Sequence, residues 1–163
     1  MRPVDVSGPR RRLRVVYPHQ LFESHLRAGP GTRFVLVEDD LLFRHQAFHA
    51  QKLVLHRASM RLFADRLRDA GSEVDVLETS SREGSAARLA RLLERLRPDE
   101  VRLHDPADDW VVRDARSALA DAGVALAPEH VEESPGFLTS RADLTAWFGE
   151  HRARMQGFYQ WQR

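Results

Sequence analysis

Val35-Leu-Val-Glu-Asp-Asp40 is an apolar run that ends abruptly in three carboxylates. This pattern is typical of a buried parallel strand whose last residues emerge at the edge of a sheet. In the next stretch, over about residues 45–70, apolar side chains recur at spacings of three, four and seven, which predicts one long amphipathic helix. The stripe consists of Leu53, Met60, Phe63, Ala64 and Leu67. A strand followed by a crossover helix is half of a βαβ unit.

The rest of the chain repeats this alternation. Four further apolar runs predict strands, at residues 13–17, 74–77, 101–103 and 124–127. Helices are predicted from about 81 to 97, where Pro98 ends the second helix, and from a cap at Asp109 to about 122, where Gly123 stops the third. Ser140, with Asp143 three residues later, predicts a capping box for a short helix over 142–148, and 154–163 also has a helical pattern.

Alternating strands and helices indicate an α/β fold, a Rossmann-like three-layer sandwich in which a five-stranded parallel sheet carries helices on both faces. Right-handed crossovers favour the strand order 3-2-1-4-5. Ligands of such sheets bind beyond the carboxyl ends of the strands, at the switch point between strands one and four. This rule selects six residues, which are His19, Gln20, Glu38, Asp39, His104 and Asp105.

Composition bounds the function further. The 163 residues carry a net charge of +1, which provides no general attraction to nucleic acid or to a membrane surface. The absence of cysteine excludes disulfides, thiolate zinc sites and iron–sulfur ligation by this chain. The sequence contains no apolar run of about 18 residues that would predict a transmembrane helix. Because the basic start lacks the apolar core of a signal peptide, we expect a disordered lead-in over residues 1–11 and a cytoplasmic protein.

The common phosphate-binding motifs are missing from the sequence. Gly29-Pro-Gly31 precedes a strand and therefore fails as a dinucleotide fingerprint, and neither GxxxxGK[ST] nor G-x-S-x-G occurs. His45 and His49 are four residues apart and either share a metal or serve as a cap and a solvated residue. In the helix predicted at 81–97, the arginines Arg88, Arg91, Arg95 and Arg97 form either a solvated face or a nucleic-acid patch without aromatic stacking partners.

Three residues near the switch point each admit two interpretations. Glu38 either accepts hydrogen bonds from the ring N–H groups of a heteroaromatic ligand, or is a solvated acid or partner of a helix N-terminus. Gln20 either contacts the amide edge of a ligand or ties two loops together. Trp110 either stacks on a ligand ring or belongs to the core.

Five motifs, taken together, resemble the cryptochrome/photolyase family. They are Pro18-His-Gln-Leu-Phe22, Val37-Glu-Asp39, His49-x-x-Lys52-Leu-x-Leu-His56-Arg-Ala-Ser-Met60-Arg61, Asp105-Pro106 with Asp108-Asp-Trp110, and Pro135-Gly-Phe-Leu-Thr-Ser140. The branch that they resemble is the bacterial photolyase-related proteins, which include the iron–sulfur (6-4) photolyases. The resemblance extends over about residues 12–163.

The resemblance implies an N-terminal α/β domain at residues 12–150, followed at 151–163 by the start of a linker or helix toward a helical FAD domain. In some family members the α/β domain holds an antenna chromophore, which is a ribityllumazine in the iron–sulfur branch. FAD, the iron–sulfur cluster and the contact with DNA belong to the helical half. The resemblance therefore implies a lumazine or other antenna chromophore here, no catalytic residues, no metal ligands and no membrane contact, with the helical FAD-binding domain as partner.

By position, the resemblance assigns seven candidate chromophore-binding residues, which are His19, Gln20, Leu21, Glu38, Asp39, Asp105 and Trp110. Gln20 and Leu21 match the family's Gly-Asp-Gln-Leu motif, in which Pro18 and His19 replace glycine and aspartate. Proline removes a backbone N–H donor at this position, and an imidazole replaces a carboxylate.

Three functions are consistent with these observations. The first is an antenna domain that holds a flat chromophore and passes excitation to FAD. The second is a structural and interaction module with a vestigial pocket, which the Pro18-His19 replacement and the aromatic residues Phe158, Tyr159 and Trp161 favour. The third is a small Rossmann-like enzyme or nucleotide binder that uses His19 and Asp105 as an acid–base pair.

Overall fold

A computed structural model describes residues 10–29, 31–152 and 154–163 of the chain. Its strands are β1 (Arg12–Val16), β2 (Thr32–Val37), β3 (Glu73–Leu77), β4 (Glu100–His104) and β5 (Val131–Glu132). Its helices are α1 (Asp40–Phe43), α2 (Ala50–Asp69), α3 (Ser85–Leu96), α4 (Asp109–Asp121), α5 (Arg141–Glu150) and α6 (Met155–Trp161). A disordered lead-in was predicted at residues 1–11, and residues 1–9 of it lie outside the described residues.

The five strands form one parallel sheet in the order β3-β2-β1-β4-β5, which confirms the predicted α/β topology. The central strand β1 pairs with β2 on one side and with β4 on the other, with Val15 opposite Val35 and Leu103. The carboxyl ends of β1, β2 and β4 therefore meet at one edge, where the strand order reverses.

Helices cover both faces of the sheet because strand side chains alternate between them. Phe34 and Leu36 of β2 point to the face that α2 covers with the predicted stripe, whose members Met60, Phe63, Ala64 and Leu67 are buried. Val35 and Val37 point to the opposite face, where α3 and α4 pack. Within the described part of the chain, no helix combines the length and the apolar character needed to cross a bilayer.

The fifth strand was predicted at the wrong place. Residues 124–127 are not a strand; Val124 and Leu126 are partly buried against the core, which explains their apolar character. The edge strand is formed instead by Val131 and Glu132, which pair with Leu103 and His104 of β4. Its position is fixed by charge, because the Glu132 carboxylate accepts two hydrogen bonds of 2.8 Å from one guanidinium on β1.

Helix starts also differ from the prediction. The long helix begins at Ala50 and not near residue 45, because the His49 Nδ1 atom accepts a hydrogen bond from the Gln51 N–H and caps it. The next helix begins at Ser85 and not at 81, with Gly84 as its N-cap. Asp108, and not Asp109, caps α4. The predicted helix ends at Gly71 and Gly123 are confirmed by their positive φ angles of 85° and 68°.

The C-terminal helices bury one of the three aromatic residues Phe158, Tyr159 and Trp161. Ser140 and Asp143 form the predicted capping box of α5. Phe158 of α6 is buried, with its ring centroid 5.4 Å from that of Phe148 on α5, so it is not one of the exposed aromatics that the sequence suggested. Tyr159 is 58% exposed and Trp161 is 50% exposed.

Candidate functional site

Gln20 lies in the turn after β1 and is buried, with 1% of the residue exposed. Its side-chain Nε2 atom donates hydrogen bonds of 3.0 Å to the backbone carbonyls of His104 and Asp105. Gln20 therefore ties the loop after β1 to the loop after β4 across the switch point. Its Oε1 atom has no hydrogen-bond partner among the described protein groups.

Glu38, the first carboxylate after β2, is bound from within the protein. Its carboxylate accepts hydrogen bonds of 2.7 and 2.8 Å from the Arg57 guanidinium of α2 and a third, of 2.8 Å, from the Thr79 backbone N–H. The side chain is only 3% exposed, and a carboxylate so buried needs a counter-charge. The sequence prediction included Glu38 but missed Arg57. The available signal was that a buried acid at the end of a strand needs a positively charged partner.

Asp39 and Asp40 cap two different helices. Asp39 is the N-cap of α1 and accepts a hydrogen bond of 2.9 Å from Leu41 N–H, while burial raises the pKa of Asp39. The Asp40 carboxylate accepts hydrogen bonds of 2.9 Å from Ser85 N–H, at the first turn of α3, and from the Thr79 hydroxyl. The Asp40 carboxylate therefore occupies the N-terminus of α3, where a nucleotide-binding sheet would hold a phosphate.

The side chains of His19 and Asp105 form hydrogen bonds with different partners. The His19 ring donates from Nε2 to the Pro106 carbonyl at 3.1 Å, and the desolvation of this partly buried ring lowers its pKa. Asp105 accepts from Ala107 N–H at 2.9 Å and forms an ion pair with Arg141 of α5. The structure gives no hydrogen bond between the two that would couple them as an acid and a base.

Trp110 does not belong to the core. The residue opens α4 and is 62% exposed, with the Arg113 guanidinium 4.8 Å from its ring centroid. Leu21, in contrast, is partly buried and packs with the apolar cluster between the sheet and α2. Trp110 is thus the candidate residue with the largest accessible aromatic surface.

A pair of buried histidines adjoins Gln20. The ring centroids of His25 and His104 are 5.0 Å apart, and His25 Nε2 lies 3.0 Å from the Gln20 carbonyl. Burial, and next the neighbouring His104, lower the pKa of His25 to about 4, so its ring is neutral at physiological pH. The switch-point rule selected His104, whereas no spacing in the sequence pointed to His25, which lies in a short 3₁₀ segment, Glu23–Arg27.

The structure also shows what becomes of the His45 and His49 pair and of the arginines in the helix predicted at 81–97. His49 is a helix cap, and His45 is exposed. Among the described residues no group of three or more His, Cys, Asp or Glu side chains is arranged to hold a metal ion. The arginines of α3 are engaged with protein groups, since Arg91 pairs with Glu83 at 2.6 Å and the buried Arg88 lies 3.5 Å from the Asp40 carboxylate.

Sizeable cavities lie away from the switch point. Three of them, with volumes of about 300, 390 and 590 Å³, are lined by residues near the opposite, amino-terminal end of the strands, including Arg11, Arg12 and Pro98. A fourth, of about 50 Å³, lies between Asp105 and Arg141. Neither Gln20 nor Glu38 lines any of these four cavities.

Comparison with known proteins extends the sequence resemblance. A family model described as "Deoxyribodipyrimidine photo-lyase-related protein" matches residues 14–163. A relative in Acanthamoeba polyphaga mimivirus, "Uncharacterized protein R852", is 26% identical over 157 residues, and the match covers 92% of this chain and 78% of the relative.

Proposed function

The chain belongs to the deoxyribodipyrimidine photolyase-related protein family, and we propose that it acts there as a non-catalytic α/β domain that packs against a helical, FAD-binding domain. The observation that supports this proposal is the internal use of the polar groups at the switch point. Glu38 is held by Arg57, Asp105 by Arg141, and the Gln20 amide by two backbone carbonyls.

Chemistry at this edge of the sheet would require one of these groups to be free to exchange a proton or contact a substrate. Withdrawing Glu38 from its pair would leave a buried carboxylate with one remaining donor, and such a group is strongly destabilising. Light absorption and any contact with DNA are therefore assigned by this proposal to the helical domain. The α/β domain contributes a rigid surface.

The proposed contact surface lies on the C-terminal helices. Four large apolar residues there are at least partly exposed, namely Leu144, Met155, Tyr159 and Trp161. Tyrosine and tryptophan contribute disproportionately to protein interfaces because each buries a large area at a small cost in conformational entropy. The buried Phe158 and the capping box of α5 hold this surface in a fixed shape.

Sedimentation velocity with the helical FAD domain of a bacterial photolyase-related protein tests this proposal. We expect association with the wild-type chain, and a rise in Kd of about 30-fold when Tyr159→Arg and Trp161→Arg are combined. Val54→Arg, on the equally exposed outer side of α2, is the matched control and should leave Kd unchanged. No association of the wild type, or equal loss in the control, would contradict the proposal.

A second candidate, the antenna role, is favoured by the exposure of Trp110. A flat ribityllumazine or flavin ring could stack on this indole, outside the switch point whose polar groups are bound within the protein. Titration of the purified chain with ribityllumazine, followed by quenching of ligand fluorescence, tests it. Binding that is lost in Trp110→Ala and kept in Trp161→Ala would support the antenna role, whereas absence of binding by the wild type would exclude this candidate and leave the packing role.

A further inference from the structure

The side of α2 that faces away from the sheet carries a second apolar stripe. Val54, Leu55 and Leu62 are 67%, 66% and 64% exposed, and Ala58 between them is exposed as well. Their spacings of three, four, seven and eight residues place the four side chains on one face, opposite the buried stripe that packs on the sheet. A helix with apolar residues on two opposite sides is ordinarily covered on both, so this outer face of α2 indicates a contact that the described residues do not make.

The shape of the outer face suits a second copy of itself. Ala58 lies at its centre, and so small a side chain lets two helices approach closely, with their axes about 8–10 Å apart. Around a twofold axis near Ala58, an antiparallel second copy would bring its Leu62 beside Leu55 of the first copy, and its Leu55 beside Leu62. Such a contact uses the same patch on both copies and closes after two, so no other surface of the chain is needed.

The charges along α2 favour the antiparallel orientation. The first turn contains no acidic residue to complement the positive end of the helix dipole, and it carries Lys52. Asp65 and Asp69 are exposed near the opposite end, in line with the outer face. An antiparallel second copy would place its Asp65 close to this N-terminal turn and to Lys52. A parallel copy would instead set each Asp65 against its equivalent, and each Lys52 likewise.

The Asp65 carboxylate remains available for this role. Its ion pair with Arg68, at 2.9 Å, lies within one turn of the same helix, and the two side chains are 68% and 47% exposed. Such surface pairs contribute little to stability and leave the carboxylate accessible to a further partner.

We propose that the outer face of α2 is an interface between two copies of this chain, which pair antiparallel around a twofold axis near Ala58. The helix has 20 residues and is therefore about 30 Å long. One helix face with four apolar residues per copy is smaller than a standard interface of about 1,200–2,000 Å², so we expect a weak dimer with a Kd of about 100 µM. The contact is separate from the surface proposed for the helical domain, which lies on α5 and α6.

Sedimentation velocity of the chain alone, over concentrations from about 5 to 500 µM, tests the interface. We expect the sedimentation coefficient to rise with concentration towards that of a dimer. Leu55→Arg combined with Leu62→Arg should raise the dimer Kd at least about tenfold. Because both positions are about two-thirds exposed, the far-ultraviolet circular dichroism of this variant should match that of the wild type.

The matched control is Tyr159→Arg combined with Trp161→Arg, which alters the surface proposed for the helical domain and should dimerise as the wild type does. A wild type that stays monomeric throughout, or an equal loss of dimer in this control, would overturn the proposal. If the wild type stays monomeric while the α2 variant binds the helical FAD domain more weakly, that domain covers the face instead of a second copy.

Cysteine cross-linking tests the orientation, because the chain contains no cysteine of its own. On mild oxidation, a mixture of Leu55→Cys and Leu62→Cys should form the mixed disulfide faster than either variant links to itself, since the antiparallel pair sets these two positions side by side. Mass spectrometry of the cross-linked peptides identifies the products. Faster linkage within each variant would show a parallel pair and would contradict the proposed arrangement.

Discussion

Arg57→Ala removes the guanidinium that neutralises Glu38. The Glu38 carboxylate would remain 3% exposed and would keep only the hydrogen bond from Thr79 N–H, while its two bonds of 2.7 and 2.8 Å to Arg57 would be lost. Solvent can replace part of this interaction, because the Arg57 side chain itself is 42% exposed. The substitution therefore leaves a largely buried carboxylate that water reaches from one side.

The expected cost follows from these contacts. A hydrogen bond to a charged group contributes about 1.5–3 kcal/mol, so two would contribute about 3–6 kcal/mol if the pair were fully buried. Screening at the exposed guanidinium reduces this contribution, and we expect Arg57→Ala to lower the free energy of unfolding by about 2 kcal/mol. For a domain of this size the corresponding fall in Tm is about 4–8 °C.

Urea unfolding followed by circular dichroism measures this change. Arg61→Ala is the matched control, one turn further along α2, because Arg61 pairs with Glu78 at 3.1 Å and both side chains are more than half exposed. Its cost should stay within about 0.5 kcal/mol. A double-mutant cycle with Glu38→Ala should give a coupling energy of about 1 kcal/mol or more. Additive costs, or an effect of Arg57→Ala no larger than that of the control, would refute the reasoning and leave Glu38 available to a ligand.

Three further predictions concern the core, the buried acid and the C-terminal helices. Leu93→Ala, at a fully buried position of α3, should cost about 2–5 kcal/mol in urea unfolding, whereas Leu62→Ala, on the exposed side of α2, should cost less than about 0.5 kcal/mol; similar costs would contradict the assignment of the core. Because burial raises the pKa of Asp39 above its ordinary 3.8, the folded state holds this proton more tightly, and wild-type stability should fall as the pH rises from about 3.8 through the folded-state pKa. Asp39→Asn should lack that fall in urea unfolding across this pH range, and parallel profiles for the two proteins would argue against it. Phe158→Ala should release α6 and speed tryptic cleavage after Arg154, measured by mass spectrometry, while an unchanged cleavage rate would show that Phe158 does not hold the helix.

Hydrophobic pattern was sufficient to predict the sheet order. Strands that alternate with helices admit few right-handed arrangements, and β1 and β2 were located to within two residues because their apolar runs are buried on both faces. The edge strand β3 was located by side chains that are only partly buried, Val74, Val76 and Leu77. The pattern failed at the edge of the sheet. There, burial of Leu126 against the core produces the same apolar signal as a strand, while the true edge strand contains Glu132, whose position depends on its ion pair with Arg14.

Only part of the candidate site could be predicted from the sequence. The topological rule placed Gln20, Glu38 and Asp105 correctly at the carboxyl ends of their strands, but it says nothing about which groups satisfy them. The two acids pair with arginines of α2 and α5, and Gln20 bonds to backbone carbonyls at the end of β4, so no local spacing connects these residues with their partners. His25 was missed because a histidine in a short irregular segment shows no periodicity, even though it is among the most buried polar residues of the described chain.

The partners of three strand-end acids share one feature that supports the proposed packing role. Each of three carboxylates after β2 and β4 is met by an arginine from a different helix, in the pairs Glu38–Arg57, Asp40–Arg88 and Asp105–Arg141. A charge taken out of water requires such a partner. Asp39, the buried acid of this edge that forms no ion pair among the described residues, caps α1 instead, and burial raises its pKa. Arginine suits this task because its guanidinium can hold both carboxylate oxygens at once, as Arg57 does. The same edge that a ligand-binding sheet would leave open is therefore fastened to α2, α3 and α5, and the groups whose acceptor atoms are still unsatisfied are the neutral ones, Gln20 and the two buried histidines.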